Sequence, residues 1–224
     1  MRLSTKEMIG HLAMLPFFAK RVLSRPPGKI VIFSVLWLAV VCYGSLALFR
    51  YQSTPGETIT ALRMWPAESK LPLSTSLPTL VLFGHPHCPC TRATLDELAL
   101  LMARCSKKVA ATVIFMSPVE VEATWVETDL WRSAEAIPGV TVRRDDSGVE
   151  AHRFGATTSG WVMLYARDGK LLFHGGITDA RGHAGDNEGR AAIALLLEGK
   201  PSKTTATRVF GCGLFARQSV QLSQ

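Results

Sequence analysis

The sequence predicts an α/β domain, a mixed sheet flanked by helices, preceded by one transmembrane helix. Three observations carry this. Between residues 78 and 199 short apolar runs alternate with stretches of helical spacing, the pattern of buried strands separated by helices that cover them. The pair Asp168-Gly169 lies between two strand-like runs and marks a hairpin, which makes the sheet mixed rather than wholly parallel. Ile30 to Phe49 is an uncharged run of twenty residues bracketed by Lys29 and Arg50, the length a helix needs to cross a bilayer.

The elements follow in order. Thr79 to Gly84 reads as a buried strand. Thr91 to Arg104 places Leu95, Leu98, Leu101 and Met102 at helical spacing. Val109 to Met116 is a second apolar strand and Val126 to Ala136 a helix; Gly139 to Arg144 is a short strand ending at Asp145-Asp146, and Val149 to Phe154 a helical turn. Trp161 to Ala166 and Leu171 to His174 form the hairpin, and Arg190 to Leu197 is a last amphipathic helix. The segments are therefore a basic stretch (1–29), a membrane anchor (30–49), a Pro-, Ser- and Thr-rich linker (50–77), the domain (78–199) and a tail (200–224) that contains Cys212.

Charge is distributed unevenly. The first fifty residues hold seven of the twenty-five basic residues and one of the eighteen acidic ones, so the remainder is nearly balanced. The folded part has no basic excess for nucleic acid. The bases before the apolar run, Arg2, Lys6, Lys20, Arg21, Arg25 and Lys29 against Glu7, place that side in the cytoplasm and the domain outside, in the periplasm or its equivalent across a single-pass inner membrane. Cys42 lies within the apolar run and follows Val41, unlike a lipoprotein cleavage site, and reads as a membrane cysteine. The four others, Cys88, Cys90, Cys105 and Cys212, are an even number in a compartment that permits disulfides.

Cys88-Pro89-Cys90 stands where the first strand hands over to the first helix of the domain. Free N–H groups and a partial positive charge at a helix N-terminus stabilise a thiolate, the form that attacks disulfides and binds soft metals. Pro89, with fixed φ and no N–H, suits the first helical position. Residues two apart on a helix point in different directions, so a Cys88–Cys90 pair requires Cys88 to stay outside the first turn. His85 and His87 flank Pro86 just before the thiols. As donors they would favour the thiolate; as ligands with Cys88 and Cys90 they would make a mixed site for copper or zinc.

Phe83-Gly84-His85-Pro86-His87-Cys88 and Arg92-Ala93-Thr94-Leu95-Asp96-Glu97-Leu98 resemble the nucleophile segment and following helix of membrane-anchored, TlpA-like members of the thioredoxin-like superfamily. Ser159-Gly160, Gly175-Gly176-Ile177-Thr178 and Arg181-Gly182-His183 resemble a RedB-like branch with a CPC motif. The resemblance covers about residues 78 to 199 and departs from the family at two places. Thr91 occupies the usual second-cysteine position, and Gly160 the place of the family's cis-proline facing the cysteines.

The resemblance implies a thiol–disulfide oxidoreductase acting on protein thiols or disulfides without a cofactor, with Cys88 as nucleophile and Cys90 as resolving thiol. His87, Thr91, Gly160 and His183 are supporting candidates, and Arg181 and Asp186 belong to the same glycine-rich segment, expected to overhang Cys88. Cys212 is the candidate third thiol, because residues 200 to 211 extended reach roughly 36 Å, enough to return to the site. Cys105, at the far end of its helix, is expected to be remote. The alternative is a copper carrier similar to the Sco-type proteins, using His85, His87, Cys88 and Cys90.

Overall fold

The computed structural model describes residues 28–57, 62–119 and 121–215. The chain divides into two units, residues 1–48 and 49–224. The described part of the first belongs to helix α1, Gly28–Ser53, an uninterrupted helix whose apolar side chains are exposed and which is long and apolar enough to cross a membrane. Residues 1–27 of the predicted basic stretch lie outside the described residues.

In the second unit β1 (Thr79–Gly84), α2 (Pro89–Cys105), β2 (Ala110–Ser117), α3 (Ala123–Val126), α4 (Asp129–Glu135), β3 (Val140–Asp146), α5 (Val149–Phe154), β4 (Trp161–Tyr165), β5 (Leu171–Gly175) and α6 (Glu188–Leu197) follow one another. The five strands form one sheet in the order β3-β2-β1-β4-β5. β1, β2 and β3 run parallel, while β4 is antiparallel to β1 and to β5. This is the thioredoxin-like arrangement, a mixed sheet flanked by helices. The expected helix Val126 to Ala136 is interrupted because Thr128 is extended, with φ −76° and ψ −177°, and its hydroxyl donates to the Pro86 carbonyl at 3.0 Å; α3 and α4 lie on either side of it.

Alternation along the central strand builds two cores. Leu80 and Leu82 face one way, into a core with Leu95, Leu98, Phe115 and Ile193. Val81 and Phe83 face the other, into a core with Phe154, Met163 and Tyr165. α2 and α6 supply the first layer. Among the described residues the second sheet face is covered by the short helix α5 and by segments without regular structure: Leu71, Val209 and Leu214 are buried there, and the Trp65 ring meets Phe154 and Tyr165 edge-on at 5.0 and 5.1 Å. Part of the predicted linker thus packs as core, with Met64 bridged to Lys170 beside β5.

The tail returns along β5. His174 N–H donates to Thr205 O at 3.0 Å, and Thr207 N–H donates to His174 O at 3.2 Å. The chain then crosses to the C-terminal end of β1, where Ser159 N–H donates to Cys212 O and Leu214 N–H donates to Thr157 O, both at 2.8 Å. Gly211 permits the crossing, because a Cβ there would lie 1.9 Å from the Ser159 carbonyl.

Candidate functional site: a three-sulfur cluster

The site forms where β1 ends. Cys88 immediately precedes α2, with Pro89 as the first helical residue. Its N–H donates to His85 O at 3.1 Å, and its carbonyl accepts from Thr91 N–H at 3.0 Å. Cys88 is therefore outside the first turn, as a pairing with Cys90 requires. The tail brings in Cys212, so the sulfurs of Cys88, Cys90 and Cys212 all lie within 4.8 Å of one another. The Cys88 and Cys212 sulfurs lie 2.9 Å apart, and none of the three is in a disulfide.

The electrostatics are unequal. Cys88 is pulled down to about 4, first by the hydrogen bond from Cys90 and then by those from Cys212, against the opposing effect of burial. Cys90 is pushed up, chiefly because its S–H serves the Cys88 sulfur, and burial adds to this. Cys212 is pushed up to about 11 by burial and then by its bond to Cys88, while the Arg181 cation works the other way. These shifts favour the thiolate at Cys88 and the protonated thiol at Cys90 and Cys212. Exposure is unequal too. Cys88 is 2% and Cys90 5% exposed. Cys212 is half-buried and lines a cleft of about 760 Å³ with Thr54, Gly56, His152, Thr158, Arg181 and Phe215.

Other predicted residues take different places. The His87 ring lies 4.6 Å from that of Trp125, with Nε2 2.9 Å from the Trp125 carbonyl. His85 also meets Trp125, at 5.6 Å; its Nδ1 accepts from His87 N–H, and burial lowers its pKa. Among the described residues, the group of ligand atoms gathered within 4.8 Å contains the three sulfurs and no imidazole. The Thr91 hydroxyl is buried, 2.7 Å from Ser159 Oγ and 3.2 Å from the His85 carbonyl that accepts from it. Gly160, at φ +90°, donates its N–H to Phe83 O, and a Cβ there would meet Thr94 Oγ1 at 2.9 Å. His183 is exposed, with its N–H donating to Ala180 O, and Asp186 is paired with Arg190. Cys105 is buried in the first core at the far end of α2.

Two residues carry more than the sequence reading gives them. Ser159 joins the parts, because its Oγ also accepts from His85 N–H at 2.9 Å while its own N–H holds Cys212. Arg181 donates to Thr54 O and to Gly211 O, which ties the segment after α1 to the residue before Cys212. Glu97 was not legible as a special position. It is fully buried on α2, accepts from Gly185 N–H at 2.7 Å and Asn187 Nδ2 at 2.9 Å, and pairs with Arg190 at 2.7 Å, so it anchors the glycine-rich segment. Its one sequence signal is a charge among the apolar positions of an otherwise regular helix.

No protein-family profile matches the chain, and no curated protein matches it. Solved structures do. An uncharacterized conserved protein from Geobacillus kaustophilus superposes with TM-score 0.54 at 19% identity, covering 75% of this chain and 94% of that one. A hypothetical protein from Sinorhizobium meliloti 1021 gives TM-score 0.50 at 26% identity, covering 72% and 93%. A secreted Mycobacterium tuberculosis disulfide oxidoreductase homologous to E. coli DsbE gives 0.40 at 15%, covering 57% and 84%. The first two share the fold of this chain.

Proposed function

We propose that this protein is a membrane-anchored, extracytoplasmic thiol–disulfide oxidoreductase in which Cys88 is the reactive sulfur. The observation that carries the reading is the cluster itself, a thiolate at the mouth of a helix with two further sulfurs within 4.8 Å. In thiol–disulfide exchange a thiolate attacks a disulfide sulfur to give a mixed disulfide and a second sulfur resolves it, and a low-pKa thiolate such as Cys88 serves either as the attacker or as the leaving group. Two neighbours are in place for that second step, Cys90 on the first turn of α2 and Cys212 on the tail. The low pKa of Cys88 also stabilises the reduced form, which gives the pair an oxidising character. The apolar α1 and the basic residues before it support anchoring with the domain outside the cytoplasm. Clients are protein thiols or disulfides.

The test is redox equilibration of the full-length chain in detergent against glutathione buffers, with quenching by acid and mapping by mass. A reversible intramolecular disulfide that includes Cys88 is expected, together with loss of exchange activity in Cys88→Ser. A chain that forms no disulfide across the range, or a Cys88→Ser variant with full activity, would overturn the reading.

A further inference from the structure

The reactive sulfur is covered. Cys88 is 2% exposed, and the group lying over it is Cys212, whose sulfur is 2.9 Å away and whose main chain is fixed to Ser159. A client sulfur has no direct line to Cys88 while the tail is in this place. Cys212 itself borders the cleft, which Arg181, Gly213 and Phe215 also line. Burial, distance and cleft together divide the labour: Cys88 is sheltered, and Cys212 is the half-buried cysteine at the cleft.

We propose, building on the oxidoreductase reading, that Cys212 is the sulfur that meets the client and that Cys88 is the leaving thiolate behind it. In the oxidised protein the two form a disulfide. A client thiolate enters the cleft and attacks Cys212 Sγ; the Cys88–Cys212 bond breaks, its electron pair goes to Cys88 Sγ, and a client–Cys212 disulfide forms. A second thiolate of the client attacks the client sulfur of that mixed disulfide, the client closes its own disulfide, and Cys212 leaves and takes up a proton. Two electrons have passed from a client dithiol to the Cys88–Cys212 pair. A partner protein disulfide recharges the pair by the same two steps in reverse.

The direction of attack follows from the chemistry of exchange. The reaction is faster the lower the pKa of the departing thiol, and it needs a line of approach opposite that thiol. With Cys212 in a disulfide, Cys88 keeps its largest donor, Cys90, and is the better leaving group and buried; Cys212, pushed up first by burial, is the poorer one and is half-buried at the cleft. Attack at Cys212 with departure of Cys88 satisfies both requirements, and attack at Cys88 satisfies neither. The Arg181 cation lies close enough to lower the pKa of Cys212 and draws an incoming thiolate to the same place. The tail is thus part of the site.

The full-length chain in detergent, oxidised and freed of oxidant, is mixed with reduced glutathione as a monothiol probe, quenched with acid within one turnover and mapped by mass. The glutathionyl group is expected on Cys212, with Cys88 as a free thiol. A glutathionyl group on Cys88 or Cys90 would overturn the assignment while leaving the oxidoreductase reading intact. A wild-type chain that forms no disulfide and takes up no glutathione sinks both. In a parallel measurement Cys212→Ser is expected to lose oxidation of a two-cysteine peptide while Cys88 stays titratable as a thiolate by its ultraviolet absorbance. Peptide oxidation at the wild-type rate in that variant also overturns the assignment.

Discussion

The main-chain N–H of Ser159 donates to the carbonyl of Cys212 at 2.8 Å, and this bond sets a tail residue against the thiol at the start of α2. Directly before Cys212 the tail can pass Ser159 only as glycine. Gly211→Ala is expected to lift the tail, lower stability by about 1–3 kcal/mol as overpacking does, and sharply reduce the yield of a Cys88–Cys212 disulfide. Denaturation curves and disulfide mapping of the same sample check both effects. An unchanged yield would show that the tail tolerates displacement.

Cys88 gives a pH signature. Its pKa in the folded chain lies far below the 9.0 of an ordinary thiol, so the stabilisation it brings to the reduced protein is complete above pH 9 and lost as pH falls through about 4. Ultraviolet absorbance of the thiolate should titrate with a midpoint near 4. Cys212→Ala removes one donor, and a hydrogen bond to a charged group contributes about 1.5–3 kcal/mol, equivalent to an upward shift of about one to two pH units. A midpoint that does not move would exclude Cys212 as a donor.

Glu97 is a stability test separate from the sulfurs. Glu97→Ala leaves the Arg190 guanidinium, Asn187 Nδ2 and Gly185 N–H without their shared acceptor. Breaking a buried pair by removing one member costs about 3–5 kcal/mol, and a fall of that size in the unfolding free energy is expected by urea denaturation. A loss below about 1 kcal/mol would place this network in the class of solvated surface pairs.

Residues 78–199 expressed alone should fail to fold cooperatively. That trimming removes Trp65, Leu71, Val209 and Leu214 from the second sheet face and uncovers Val81, Phe83, Met163 and Tyr165. Each large apolar side chain contributes about 1.5–3 kcal/mol when buried, and together the losses rival a domain's whole net stability of about 5–15 kcal/mol. A thermal melt monitored by near-ultraviolet circular dichroism checks this, and a sharp transition would show that the sheet needs no such cover.

Local sequence patterns suffice for the alternation of strands and helices, the hairpin at Asp168-Gly169, the apolar span and the place of Cys88 just ahead of its helix, though not for the break at Thr128. These depend on local patterns: alternation within β1, helical spacing from Leu95 to Met102, and a proline at the first helical position. The long-range placements were decided by tertiary structure alone. The tail from residue 200 to 215 has no strand or helix periodicity, since main-chain hydrogen bonds to β5 and Ser159 and the missing side chain of Gly211 hold it in place. The histidines adjacent to the thiols in sequence turn to Trp125, whereas Cys212, 124 residues from Cys88, comes to 2.9 Å. Sequence proximity fixes only how far a side chain can reach. Its direction depends on which partner the packed chain presents, and here the packed tail presents a sulfur.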